Sequence, residues 1–316
     1  LPAARLMLDR LARFAEAVAE SWEHEPESLR GWWARALARQ CQAARDEMAF
    51  LAPWTGLPEP PDELDHLSKV HGIPTLRALA GLDMEGSAHA LMRIAAIQRL
   101  AVLAGELADM EYGFLYDKAS RLLSIGYNVD ARRRDTSFYD LLASEARLCV
   151  FVAIAQGRLP QESWFALGRL LTTAGGEPVL LSWSGSMFEY LMPHLVMPAY
   201  EHTLLDQTAR AAVARQIEYG RQRGVPWGMS ESGYNTLDIH LNYQYRAFGV
   251  PGLGLKRGLA EDLVVAPYAS VLALMVAPEA ACLNLQQLAA AGAEGQFGFH
   301  EAVDYTPARQ RRGESH

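Results

Sequence analysis

Leu6, Leu8, Leu11, Phe14 and Val18 recur at three- and four-residue steps along residues 3–23, and Leu29, Trp32, Trp33, Leu37 and Cys41 do the same along 26–48. That spacing gathers apolar side chains on one face of a helix, so two amphipathic helices are predicted. A proline-rich connection, APWTGLPEPPDELD, follows, and no helix crosses it. Leu91, Ile94, Ala95, Ile97, Leu100, Leu103 and Leu107 predict a further helix over 86–110. The period then changes. In EYGFLYDKASRLLSIGYNVD, Phe114, Tyr116, Leu123, Ile125 and Tyr127 flank an Asp-Lys-Ala-Ser turn, which is the pattern of a short β-hairpin.

The stretch DTSFYDLLASEARLCVFVAIA, residues 135–155, reads as one helix. Asp135, Thr136 and Ser137 are capping residue types, and Leu141, Leu142, Leu148, Cys149 and Val152 form its apolar face. Glu145 falls on that same face. A carboxylate buried without a partner costs several kcal/mol, so it is either paired with an arginine or has a raised pKa suited to acid catalysis. The helix alone leaves both readings open.

Downstream, Pro160 starts a short helix, TTAGGEPV is a loop, and SWSGSMFEYLMPHLVMP is a helix that Pro193 ends or kinks. A further amphipathic helix is predicted over 201–222, and two more over 266–275 and 278–292. Between them lies a long glycine-rich segment, 223–265, short of helical period. Many helices in succession with few strands indicate an all-α array. Antiparallel pairs closed into an α/α toroid, with long loops at one end, fit it. The expected organisation is a single domain over 1–316: N-terminal helices in 1–110, a motif-bearing part in 111–310 and a polar tail in 309–316.

Composition narrows the function classes. Half of the 316 residues are hydrophobic and 21% are charged, enough apolar material for a large core. The net charge of −8 gives no basic footprint for nucleic acid. Three cysteines (Cys41, Cys149, Cys282) cannot all pair and read as buried thiols of a reducing compartment. The N-terminus lacks the pattern of a signal peptide, and the longest uncharged run, Leu263 to Pro278, is shorter than the ~20 residues of a membrane helix, so a soluble chain is expected.

The candidate chemistry is carboxylate chemistry. Glu189 sits in SWSGSMFEYLMP, Glu231 in GMSESGYN, and Glu301 and Asp304 in HEAVDY. Around them stand Trp183, Tyr190, Trp227, Tyr234, Tyr243 and Tyr245, with Asn235, Asn242 and Gln244 as amides. Aromatic faces stack on the C–H groups of a pyranose while amides and carboxylates bond its hydroxyls. Cleaving a glycosidic bond needs a pair of carboxyl groups. No His/Cys/Asp spacing matches a metal site, and GVPGLGLKRG lacks phosphate-loop spacing, so no cofactor is expected. SWSGSM lacks the spacing of a serine nucleophile, and Lys256 and Arg257 read as partners for buried carboxylates.

Six blocks carry a resemblance: FLYDKASRLLSIGYNVD, DTSFYDLLASEARL, SWSGSMFEYLMP, PWGMSESGYN, NYQYRAFGVPGLGLKRGL and GFHEAVDYTPAR. In this order, over 30–310, they resemble the central glucoamylase-like domain of cyclic β-1,2-glucan synthases. The resemblance implies an α/α toroid of the (α/α)6-barrel type, related to the β-1,2-glucanases. It also implies ring closure of linear β-1,2-glucan by retaining transglycosylation. In such synthases the domain lies between a membrane-embedded glucosyltransferase and a phosphorylase-like domain, on the cytoplasmic side of the inner membrane. The resemblance places the catalytic pair on Glu145, as acid/base, and Glu231, as nucleophile, with Glu189 at the substrate or as a reserve acid. Tyr139, Asp140, Trp183, Tyr190, Trp227, Tyr234, Asn235, Tyr243, Gln244, Tyr245, Lys256, Arg257 and Glu301 complete the expected substrate surface. Family members continue past TPAR into a further helical stretch, which leaves the toroid open to being incomplete at its C-terminus. An endo-β-1,2-glucanase and a non-catalytic glucan-holding module remain as alternatives.

Overall fold

The computed structural model describes residues 2–25, 28–56, 75–82 and 85–310. Residues 57–65 of the proline-rich connection and 311–316 of the polar tail lie outside these. Contacts divide the chain into two compact units, Leu1–Met110 and Glu111–His316.

The first unit holds α1 (Pro2–Ser21), α2 (Leu29–Leu51), α3 (Leu76–Ala80) and α4 (Glu85–Leu107). Ser28 and Thr75 start α2 and α3 by accepting the N–H of Gly31 and Ala78, each at 3.1 Å. α1 and α2 meet through Ala12, Ala15 and Cys41, while Leu79 and Ala90 join α3 to α4 together with Ala52. These seams consist mainly of small residues, which departs from the predicted faces. Leu11, Phe14, Trp32, Trp33, Leu37, Leu91, Leu100 and Leu107 are exposed. Small side chains let two helices approach closely, and the large ones beside them are carried outside the seam.

The second unit opens with the expected hairpin, β1 (Tyr116–Asp117) against β2 (Leu122–Leu123). Its turn is fixed by Asp117, whose Oδ2 accepts the N–H of Ser120 at 2.9 Å. A second ladder pairs β3 (Tyr127–Asn128) with β4 (Arg133–Arg134). The long helix predicted over 135–155 begins later than expected: α5 spans Ser144–Ala155. Asp135 spends its side chain on the N–H of Ser137, Phe138 bridges to Ser124, and Asp140 Oδ1 accepts the N–H groups of Leu142 and Ala143. These local bonds compete with helix formation. The phase changes too, because α5 buries Ser144, Arg147, Val150 and Ala153. Glu145 is exposed, and the buried charge on this helix is Arg147.

α6 (Glu162–Ala166) follows Pro160 as expected. TTAGGEPV is not a loop but the end of an antiparallel hairpin, β5 (Leu171–Ala174) with β6 (Glu177–Leu180). Gly175 and Gly176 turn it at φ 60 and 88, the positive angles that a tight two-residue hairpin turn requires. The SWSGSMFEYLMPHLVMP helix is shorter than expected: α7 covers only Met187–Leu191 and tightens into a 3-10 turn, Met192–Leu195, at Pro193. α8 (Leu204–Arg223) begins on Thr203 and ends on Gly224 at φ 68. The glycine-rich stretch forms β7 (Ser232–Leu237), β8 (Tyr243–Arg246) and β9 (Val264–Val265). α9 (Pro267–Ala273), α10 (Pro278–Ala290), β10 (Glu294–Gly295), β11 (Gly298–Phe299) and β12 (Val303–Asp304) complete the unit.

Its core joins Val150 of α5, Leu180 of β6, Met187 and Leu191 of α7, Ala212 of α8, Ala269 of α9 and Leu288 of α10. Among the described residues, ten α-helices stand beside sheets of two strands only, so the class is mostly α. No described helix is long and apolar enough to cross a membrane. Cys41 is buried, Cys149 is half-buried and Cys282 is exposed, so the expectation of buried thiols fails for Cys282.

Candidate active site

The segment 182–189 is fastened first. Ser182 donates its N–H to Leu253 O at 3.0 Å and accepts that of Leu255 at 3.0 Å, while Gly185 O accepts from Val250 at 3.1 Å. The chains lie so close that a Cβ on Gly249 would stand 1.9 Å from Ser184 O, and one on Gly254 2.6 Å from Gly185 N. The spaced glycines of GVPGLG are therefore packing residues. Glu189 then caps its own helix. Its carboxylate accepts the hydroxyls of Ser182 at 2.9 Å, Ser186 at 3.0 Å and Ser184, plus the backbone N–H groups of Trp183, Ser184 and Ser186 at 3.1–3.2 Å. A carboxylate has about four lone-pair sites. Glu189 is saturated.

At the other end of α7, the Arg147 guanidinium donates to the carbonyls of Glu189 at 3.0 Å and Tyr190 at 3.4 Å. A cation there complements the helix dipole. Burial pushes its pKa down to about 10.

Glu231 is positioned from behind. Fully buried Gln216 clamps Met229 through Nε2 to its carbonyl at 2.8 Å and Oε1 from its N–H at 2.9 Å. Tyr268 donates its hydroxyl to the Glu231 carbonyl at 2.8 Å and is hydrogen-bonded to the Ser230 hydroxyl at 2.7 Å, and Ser230 Oγ also accepts the N–H of Phe188 at 3.0 Å. The Glu231 side chain is half-buried and receives the Tyr245 hydroxyl at 3.0 Å. Burial pushes its pKa up, Tyr245 opposes the rise, and the charges of Glu189 and Glu145 add to it.

Glu145 stands in the first turn of α5, where the helix N-terminus favours negative charge, and accepts from Ser144 Oγ at 3.1 Å. Asp140 holds the preceding turn through its two backbone bonds, and burial raises its pKa although those bonds oppose it. Glu145, Glu189, Glu231 and Asp140 line one cavity of about 650 Å³, with Phe138, Tyr139 and Trp183 on its walls. Trp183 is 68% exposed, a free aromatic face at the mouth. Such a cavity, with carboxyl groups of contrasting environment and flanking aromatic rings, suits glycosidic bond chemistry.

The other expected residues scatter. Tyr234, Asn235, Tyr243 and Glu301 line a second cavity of about 440 Å³. Tyr190 and Trp227 belong to the core: the Tyr190 hydroxyl shares its one proton between Leu180 O at 2.8 Å and Leu253 O at 2.6 Å, and the backbone N–H of Trp227 donates to Asn284 Oδ1 at 3.1 Å. Gln244 is half-buried on β8 and lines neither cavity. Lys256 and Arg257 do not pair with buried carboxylates; Lys256 donates to Ala247 O at 2.8 Å, and both line a small recess of about 30 Å³. Asp304 is spent on Arg309 at 2.6 Å. Sequence reasoning missed Ser182 and Ser184, which bond the Glu189 carboxylate, and Gln216 and Tyr268, which brace the backbone around Glu231; these residue types carry no signature until folding brings them there. Among the described residues, no group of three or more His, Cys, Asp or Glu could hold a metal ion.

Residues 137–313 match the family model Glycoamylase, described as "Putative glucoamylase". The cyclic beta-(1,2)-glucan synthase NdvB of Rhizobium meliloti (strain 1021) is 52% identical over 221 residues, which are 69% of this chain and 8% of that protein. The chain thus spans a small part of the relative it matches.

Proposed function

The chain belongs to the Glycoamylase family, and from that premise we propose that it is a retaining transglycosylase that closes linear β-1,2-glucan into rings. The similarity to a cyclic β-1,2-glucan synthase supports the substrate class. The observation that carries the chemistry is that Glu145, at a helix N-terminus, and Glu231, whose pKa burial raises, line the same cavity.

That arrangement favours the reverse of the roles expected from the resemblance. Glu231 holds a proton and delivers it to the leaving glycosidic oxygen. The Glu145 carboxylate attacks the anomeric carbon and forms a glycosyl ester as the C–O bond breaks. The terminal hydroxyl of the same chain then returns its proton to Glu231 and displaces Glu145, closing the ring. This chemistry calls for carboxyl groups about 5–5.5 Å apart. Glu189, saturated by serine donors, positions the loop that carries Trp183 and is not the reserve acid.

In the longer protein, the chain would form part of an α/α toroid that receives glucan from a glucosyltransferase domain, beside a phosphorylase-like domain, at the cytoplasmic face of the inner membrane. Azide rescue tests the roles, with an aryl glycoside of a β-1,2-linked oligosaccharide as substrate. Glu145→Ala is expected to yield an α-glycosyl azide by direct attack, and Glu231→Ala a β-glycosyl azide through the ester. Exchanged products would reverse the roles, and unchanged turnover in both variants would remove the site.

A further inference from the structure

The cavity of about 440 Å³ takes no part in the bond-breaking steps above, yet it begins two residues from them. Glu231 lines the catalytic cavity, and Gly233, on β7, lines the second. Glu301 is held against that strand, its Oε1 accepting the Gly233 N–H at 2.7 Å. A Cβ on residue 233 would meet the carboxylate at 3.3 Å, so glycine there makes room for it.

On the partner strand, Tyr243 and Tyr245 are two residues apart and share a face of β8. Tyr245 bonds Glu231 and lies close enough to Glu301 for that charge to help raise its hydroxyl's pKa. Tyr243 lines the second cavity with its side chain 69% exposed, beside exposed His300. A strip of phenols and carboxylates therefore runs from Glu231 to Glu301. Asp304, the other acid on the wall, is neutralised by Arg309 at 2.6 Å, so the cavity is not simply an acidic pit.

The geometry points to a second saccharide site here, one that binds the part of the β-1,2-glucan remote from the bond being cleaved. This inference rests on the glucan reading of the catalytic cavity. An exposed tyrosine face, a fixed carboxylate and an imidazole suit a pyranose better than an ion or an apolar ligand. Holding a remote segment serves ring closure, because it lowers the entropic cost of bringing one chain's two ends to the same centre.

Two measurements test it. The first is calorimetric binding of a long β-1,2-glucan to Glu145→Gln with and without Tyr243→Ala. Affinity is expected to fall about tenfold, the scale of one lost aromatic contact. Unchanged affinity, or no binding to either protein, would overturn the site. The second is kcat/KM on oligosaccharides of increasing length, comparing the unmodified chain with Tyr243→Ala. The loss should grow with length; an equal loss at every length would overturn the site. Glucan binding that depends on Tyr243 without turnover at any length would instead refute the catalytic reading alone.

Discussion

The Tyr245 hydroxyl donates to Oε2 of Glu231 at 3.0 Å, and the two groups pull each other's titration in opposite directions. The bond favours the ionised carboxylate, while burial and the neighbouring charges of Glu189 and Glu145 oppose it and prevail. Burial, with Glu231 second, pushes the Tyr245 phenol up to about 12, so it remains a donor across the working range.

Tyr245→Phe removes the one contribution that lowers the Glu231 pKa, so that pKa rises further. If Glu231 is the proton donor, the alkaline limb of the kcat/KM profile moves to higher pH. If Glu231 were the nucleophile, the acid limb would move up instead and the active range would narrow. A pH profile of the variant decides between these.

Glu231→Gln should lose about 10²–10⁴ in kcat and yet stabilise the fold at neutral pH. The sign follows from linkage. A carboxyl whose folded pKa is raised binds its proton more tightly in the native state, so stability falls as pH rises from the unfolded value of 4.5 through the folded one. Glutamine carries no such penalty. Urea melts should show the variant more stable near pH 7, with the difference vanishing below the unfolded pKa. A less stable variant at pH 7 would contradict the raised pKa.

Gly249→Ala places a methyl 1.9 Å from Ser184 O, against backbone that cannot yield easily. The expected cost is about 3 kcal/mol, together with loss of activity as the Ser182–Ser186 cradle shifts from Glu189. Gly157→Ala makes the control: nothing lies within 4 Å of its added Cβ, so only its positive φ of 70 is strained. Equal destabilisation by the two would show that close packing at Gly249 is not the cause.

How much was legible depended on how local each signal was. Thr203 and Gly224 bound α8 by bonds within a few residues, and the sequence announces both. The start of α5 was hidden because Asp135 and Asp140, good capping types, make their bonds in turns that precede the helix. The resulting change of phase exposed Glu145 and buried Arg147. Glu145 and Glu231 nonetheless line one cavity. Tyr190 and Trp227 were misread because an aromatic residue among serines and glycines looks the same in sequence whether it faces a sugar or a core. The serine cradle of Glu189 could not be foreseen, since the segment that braces it lies about 70 residues away, at Leu253.

Ring closure at the Glu145–Glu231 cavity is tested most directly by incubating the purified chain with linear β-1,2-glucan while following reducing ends and product masses together. Ring closure yields products one water lighter than linear chains of the same length, with no new reducing ends, and Glu145→Gln is expected to form none of these products. Reducing ends that rise with time, without the lighter products, would contradict it and identify a hydrolase.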